Sequence, residues 1–311
     1  MLIYRKIASI VAIWSVLSNC LSHVSQSQSN INYTTQNTFM INDIQNSVDI
    51  QTEHCINENA ESFIVADVND YTVKYAYNTL TKQQQEVYKL IFDSISNGIN
   101  KINLEKFDLS ATDIQKIFWA CDFDNPQLLT IKTGFSYNYD TKVHYITVNS
   151  GRTPKQTKEI LKKINSKIND ILIEAQKLQT DYEKVKLFHD WIVRNTNYIN
   201  DTSKFPREID GPFLYNVGIC EGYSKAFEYL CQLSGINCIC VGGKANDGDH
   251  MWNMVEVDGN WYHIDLTWDD PFGNSSIVSH KYFLVSNSQI SRNHQINNKF
   301  ELPIASSSYK A

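Results

Sequence analysis

The sequence predicts an α+β fold: a helix bearing a reactive cysteine packs on an antiparallel sheet, and a smaller α+β unit precedes it. Three observations predict this. Ser or Thr residues stand just ahead of segments whose apolar residues recur at steps of three and four, as helices begin and continue. Runs of β-branched and aromatic residues come in pairs around short polar turns, the pattern of hairpins. Cys220 stands where a glycine-bearing loop meets one of the helices.

The chain has 311 residues, 42% of them hydrophobic and 12% aromatic, enough apolar mass for one large domain or two small ones. With 28 Lys+Arg against 34 Asp+Glu, the net charge is -6. That balance offers no footprint for a phosphate backbone, so no nucleic-acid partner is expected.

At the N-terminus, Arg5 and Lys6 precede the apolar run Ile7 to Leu17. A basic start followed by a run too short to span a bilayer comfortably reads as a secretory signal over residues 1–24. An uncleaved anchor is the alternative, and either one takes the body of the protein out of the cytoplasm to a secreted or cell-surface location. Leu17-Ser18-Asn19-Cys20 is similar to a lipoprotein cleavage box, although Asn19 stands where Gly or Ala is wanted. Membrane attachment is expected only through that anchor or a lipidated Cys20. Residues 25–61, rich in Ser, Asn, Gln and Thr with no sustained period, read as a flexible spacer.

Patterning starts in the leader unit, residues 62–152. Thr81-Lys82-Gln83-Gln84 opens a helix carrying Val87, Leu90, Ile91 and Ile95, and Asn97-Gly98 ends it. Ser110 to Asp113 opens a shorter helix with Ile114, Ile117 and Phe118. Leu128 to Tyr137 and Val143 to Val148 read as a hairpin with Asn138-Tyr139-Asp140 between them. The unit shows no chemical motif.

The second unit spans residues 153–311. Thr153-Pro154 starts a long helix whose stripe is Leu161, Ile164, Ile168, Ile171, Ala175 and Leu178. Thr180 to Glu183 caps the next helix, with Val185, Phe188 and Ile192 inward. A polar loop from Asn200 to Pro212 leads to Cys220, whose helix turns Ala226, Phe227, Leu230 and Cys231 inward and stops at Ser234-Gly235. Ile236 to Val241 reads as a strand, and Gly242-Gly243 with Asn246 to Asp249 as a loop. His250 to Val257 and Trp261 to Leu266 read as two strands around Asp258-Gly259.

Of seven cysteines, Cys231, Cys238 and Cys240 read as small buried hydrophobes. Cys238 and Cys240 share one strand face in poor geometry for bridging to each other, and no nearby motif completes a metal site.

Cys220 has the setting of a nucleophile. Free N–H groups and the dipole at a helix start stabilise a thiolate, and Gly218 and Gly222 let the backbone approach a substrate. If Asp258 and Gly259 are the two central turn residues, Val257 pairs with Asn260. His250 and Asp265 then fall on one face as diagonal neighbours, with backbones about 7–8 Å apart. That is a base and its orienter, the logic of covalent acyl transfer.

Gly218-Ile219-Cys220-Glu221-Gly222-Tyr223-Ser224, Gly248-Asp249-His250-Met251-Trp252-Asn253 and Trp261 through Pro271 resemble the three core blocks of transglutaminase-like domains, over roughly Tyr182 to Pro271. The resemblance implies a papain-like cysteine-protease fold with a triad of Cys220, His250 and Asp265. Phe283 and His294 resemble the C-terminal end of such domains. A second oxyanion donor beside the Cys220 N–H is expected at Tyr198, with Trp191 the alternative, although either also reads as core. Trp252 and Trp268 either wall the cleft or fill the core. Asp269-Asp270 reads as a solvated turn rather than a calcium site. A zinc set of Cys220, His250 and His263 lacks a paired-ligand motif, so neither metal nor cofactor is expected.

The sequence therefore points to an exported thiol enzyme acting on amide bonds of a protein or peptide substrate, at or near the cell surface or wall. Water as acceptor makes it a peptidase or amidase, and a lysine amine makes it a transglutaminase; water, always present, is favoured. The competing readings are a surface binding module that keeps the fold with little turnover, and a metal-dependent hydrolase.

Overall fold

The computed structural model describes residues 9–10, 74–129, 134–139, 142–149, 151–199, 207–246, 248–270 and 277–310. The spacer expected at 25–61 lies outside these residues, and so does the export segment apart from Ser9–Ile10, a two-residue strand (β1).

The first part of the chain is helical with one antiparallel sheet. Helix α1 (Tyr75–Asn78) leads to α2 (Lys82–Ser96), whose N-cap Thr81 forms the expected capping box with Gln84. Strand β2 (Lys101–Asn103) precedes α3 (Ala111–Phe123), capped in the same way by Ser110 and Asp113. Strands β3 (Gly134–Tyr139) and β4 (Val143–Asn149) form the hairpin, and the sheet order is β1-β3-β4-β2. The hairpin sits later than the sequence suggests. Leu128 closes a 3-10 turn that Pro126 starts, and Asn138 and Tyr139 belong to the strand.

Helix α4 (Pro154–Gln176) buries the stripe Ile164, Ile168, Ile171 and Ala175, and α5 (Asp181–Asn195) buries Val185, Phe188 and Ile192. Short strands β5 (Asn197–Tyr198) and β6 (Val217–Gly218) pair in parallel. Between them the end of the expected polar loop winds into a π turn at Gly211–Tyr215, with Pro212 buried inside it. Helix α6 (Cys220–Leu233) then packs on a sheet of order β10-β7-β8-β9, built from β7 (Cys238–Ala245), β8 (Gly248–Val257), β9 (Asn260–Ile264) and β10 (His294–Ile296). Among the described residues no helix is long and apolar enough to cross a membrane.

Gly242 and Gly243 lie inside β7 rather than in a loop. Strand is possible there because the sheet neighbours need their missing side chains. A Cβ on Gly242 would stand 3.0 Å from the Trp119 ring, and one on Gly243 would overlap the Gln295 carbonyl and lie 2.8 Å from Trp252.

Every residue of α6 is buried, not only the apolar four expected. Its polar side meets the earlier segment. Lys225 Nζ lies 3.5 Å from Asp122 of α3, 3.2 Å from Glu208 and 3.4 Å from Glu221. Gln232 donates to the Asp124 carbonyl at 3.0 Å, while the Asp124 carboxylate caps α1 through the N–H groups of Ala76 and Tyr77. One hydrophobic cluster accordingly runs from Ile91 and Phe118 to Cys240, Met254 and Phe300. The described residues from 74 to 310 belong to one compact unit.

Candidate active site

Cys220 is the first residue of α6. Its N-cap, Ile219, is extended and offers no side-chain cap, so the N–H groups of the first turn have no side-chain acceptor at the cap. The thiol is 2% exposed and not in a disulfide. The parallel pair β5–β6 braces the chain just ahead of it, with Tyr198 opposite Gly218. Packing requires a glycine at Gly218: a Cβ there would sit 2.9 Å from the Tyr223 ring and 3.1 Å from Thr196.

His250 lies near the start of β8 and Asp265 just past the end of β9. The turn between these strands has two central residues, Asp258 and Gly259, and Val257 pairs with Asn260 as expected. His250 and Asp265 therefore share a face, and His250 Nε2 is 2.8 Å from Asp265 Oδ2. That leaves Nδ1 as the other ring nitrogen, and Cys220 lies near enough to strengthen the ring's hold on its proton. Asp265 is fully buried, and its Oδ1 accepts the backbone N–H groups of Thr267 at 3.0 Å and Trp268 at 3.2 Å.

The electrostatics follow from this. Burial alone would depress His250, but the Asp265 carboxylate, with Cys220 adding to it, raises it to about 10. Burial would raise Asp265, yet His250 and His294 hold its carboxyl well below the usual range. At neutral pH the site thus holds an imidazolium between a carboxylate and a sulfur. Burial pushes Cys238 and Cys240 well above an ordinary thiol, as suits inert core positions.

The two tryptophans differ. Trp252 is fully buried, stacks on His250 with ring centroids 6.1 Å apart, and donates its indole N–H to His263 Nδ1 at 3.0 Å. Trp268 is only partly buried and lies 6.1 Å from the His250 ring, so it alone can wall a cleft. Tyr198 is 40% exposed on β5, 6.4 Å from the Tyr223 ring, close to the loop that delivers Cys220. Trp191 packs on Phe213 at 6.0 Å instead.

One reading needs correction. Asp269-Asp270 is not a solvated turn, because both residues are buried. Asp269 accepts the Tyr282 N–H at 3.0 Å, and Asp270 accepts the Tyr223 hydroxyl at 2.7 Å. His263 is tied to Trp252 and lies 3.2 Å from Asn287 Oδ1, and burial lowers it to about 4. Among the described residues two other groups bring metal-ligand atoms together, His250–Asp265–His294 and His189–Asp190–His280. In both, the imidazoles already bond to the carboxylate, and Lys186 at 2.6 Å and Arg194 at 3.6 Å add cations to Asp190.

Sequence reasoning missed the second imidazole on Asp265, that of His294 at 2.9 Å. It also missed the network around Asp190, where buried His189 stands with Nδ1 at 2.9 Å and exposed His280 with Nε2 at 2.7 Å. The adjacent pair His189-Asp190, on the helix face that carries Phe188 and Ile192, was the one available signal.

Residues 170–266 match the family model of the transglutaminase-like superfamily. The chain is similar to the kyphoscoliosis peptidase of Mus musculus, 26% identical over 145 residues, which are 42% of this chain and 20% of that protein. It is also similar to the kyphoscoliosis peptidase of Homo sapiens, 31% identical over 120 residues, or 32% of this chain and 17% of that one. The chain therefore spans about a fifth of the length of the curated relatives it matches. A solved structure of a TGase aligns at 19% identity with a TM-score of 0.34, covering 58% of this chain and 54% of that one.

Proposed function

We propose that this chain, transglutaminase-like over residues 170–266, is an exported thiol enzyme that acts on amide bonds through Cys220, with His250 as base and Asp265 as orienter. The observation that carries the reading is the 2.8 Å bond from His250 Nε2 to Asp265, in a site where Cys220, at a helix start, also strengthens the ring's hold on its proton.

The chemistry balances without a cofactor. The Cys220 thiolate attacks the amide carbonyl carbon, and the carbonyl oxygen becomes an oxyanion facing the N–H of Cys220, with the Tyr198 hydroxyl as second donor. The C–N bond breaks as the His250 imidazolium gives its proton to the departing amine, leaving a thioester. Water then attacks the thioester, His250 takes up its proton, and the S–C bond breaks to release an acid and restore the thiolate–imidazolium pair. A lysine amine in place of water yields a new amide by the same steps. Hydrolysis is favoured because water is always present, and the relatives it resembles carry the name peptidase. The apolar run after Arg5-Lys6 supports export, and with it a protein or peptide substrate at the cell surface or wall.

The rival reading, a binding module with little turnover, draws support from the near-complete burial of Cys220. Limiting iodoacetamide separates the two. An enzyme alkylates at Cys220 ahead of Cys231, Cys238 and Cys240 and slows markedly in His250→Ala. Uniform labelling that ignores His250 would favour the binding module. Loss of activity on chelation would point to the metal-dependent alternative instead.

A further inference from the structure

We propose that His294 is a positioning residue of this site, a second imidazole that fixes the Asp265 carboxylate and moderates its hold on His250. The inference rests on the catalytic reading above and adds a residue to it.

Asp265 Oδ2 receives two imidazoles, His250 Nε2 at 2.8 Å and His294 Nε2 at 2.9 Å. Oδ1 receives two backbone N–H groups. A carboxylate offers about four acceptor sites, so all are taken and the group has no free rotation left. Because a carboxylate only accepts, His294 faces it with an Nε2–H.

The scaffold holds His294 firmly. The residue starts β10, where it pairs with Ala245 of β7, and β7 in turn pairs with the strand that carries His250. Its side chain is fully buried. Its ring packs against Trp268 at 4.6 Å, Trp252 at 5.0 Å and Tyr282 at 5.6 Å. Nδ1 lies 2.7 Å from Asn293 Oδ1, and Asn293 Nδ2 donates to the Tyr282 hydroxyl at 2.6 Å. The polar chain thus runs Tyr282, Asn293, His294, Asp265, His250.

The consequence is electrostatic as well as steric. The positive end of the His294 N–H points at the oxygen that His250 uses, beside the imidazolium proton. It opposes the cation there and draws on the carboxylate charge that would otherwise fall on His250 alone. Without it, His250 would hold its proton more tightly and yield it less readily to a departing amine. The charged and titratable groups facing His250 are Asp265, Cys220 and His294; those facing His294 are Asp265, Tyr282 and, electrostatically, His263. A residue needed only to fill space would require a ring but no donor.

Two variants of the full chain separate these roles. His294→Phe keeps a ring among the three aromatic neighbours and removes the donor; His294→Gln keeps a donor near the Nε2 position. The probe is iodoacetamide at limiting concentration, with Cys220 alkylation read by mass spectrometry across pH. The rate rises a second time where His250 loses its proton, and that upper inflection reports the imidazole. In His294→Phe the inflection should move up by about half a pH unit or more, with alkylation at neutral pH, where the imidazolium persists, not slowed. His294→Gln should keep the wild-type inflection. An unchanged profile in His294→Phe overturns the inference, and so does equal slowing in both variants without a shift, which is the mark of packing alone. Should His294→Phe not fold, imidazole 1H–15N spectra of the wild-type chain decide. They must show a protected His294 Nε2–H proton that moves in Asp265→Asn; its absence overturns the inference. If wild-type Cys220 itself ignores His250, the catalytic reading fails, whatever the His294 variants do.

Discussion

Val257 and Asn260 face each other as the last pair of the β8–β9 ladder, and that single pairing sets which face Asp265 occupies. The two residues between them, Asp258 at φ 51° and Gly259 at φ 73°, are both left-handed, as a two-residue hairpin turn requires. A turn longer by one residue would carry the whole of β9 to the opposite face and part the carboxylate from His250.

Gly259→Ala tests that turn. Nothing lies within 4 Å of the added Cβ, so only the positive φ resists it. The variant should lose about 1 kcal/mol in urea unfolding while retaining His250-dependent alkylation of Cys220. A variant as stable as wild type would mean that the turn does not carry the register.

Asp265→Asn tests the electrostatic core of the site. The new amide can still accept from Thr267 and Trp268 through Oδ1, but its NH2 would face the N–H groups of His250 and His294, donor against donor. His250 should fall from about 10 toward its ordinary 6.5. Cys220 alkylation at pH 7 should drop by about tenfold or more as the imidazolium is lost, in a chain that stays folded. An unmoved upper inflection would show that Asp265 does not stabilise the cation.

Much of this arrangement is legible in the sequence, because it is written in local chemistry. Thr81, Thr153 and Thr180 announce helices by side chains that reach their own first turns. Asp258-Gly259 announces a two-residue turn because few other pairs tolerate two positive φ values. What stays hidden is long-range. Lys225, Glu228 and Gln232 sit at helical spacing and look like a solvated face until Asp122, Glu208 and Asp124 close over them. His294 stands in a three-residue polar strand with no alternation to give it a direction, and its partner is distant in sequence. Asp269 and Asp270 look like surface residues because their donors, Tyr282 and Tyr223, come from other elements.

Lys225→Met tests the seam between α6 and the earlier segment. Lys225 is 1% exposed and is the cation that Asp122, Glu208 and Glu221 share. Removing it strands the buried Asp122 carboxylate, so the variant should lose about 3–5 kcal/mol in denaturant unfolding. Adding Asp122→Asn and Glu208→Gln to the same chain should recover part of that loss. A loss under 1 kcal/mol, on the order of a surface pair, would mean the cluster is not closed off from water.

The pH dependence of stability should show the same buried groups, and its sign is fixed by their shifts. Burial, opposed by Lys225, raises Glu208 from 4.5 to about 8. His250 rises from 6.5 to about 10, because Asp265 outweighs the burial that would lower it. In both cases the folded chain holds a proton more tightly than the unfolded chain does. Their stabilisation is complete below the unfolded value and is lost as pH rises through the folded one. Glu208 therefore erodes stability from pH 4.5 to about 8, and His250 from 6.5 to about 10. Asp190 and Asp265 act in the opposite sense: both are held well below the usual carboxylate range against burial that would raise them, chiefly by His189 and Lys186 for Asp190 and by His250 and His294 for Asp265. Their stabilisation is present above the ordinary 3.8 and is lost on acidification below it. The melting temperature should therefore peak on the mildly acidic side, fall steadily toward pH 10, and fall again in strong acid. Glu208→Gln mimics the protonated carboxyl and cannot ionise, so it should melt above wild type at pH 8–9 and match it near pH 5. A wild-type melting temperature that climbs from pH 5 to 9, or a Gln variant that runs parallel to wild type throughout, would show that Glu208 is not a buried neutral acid.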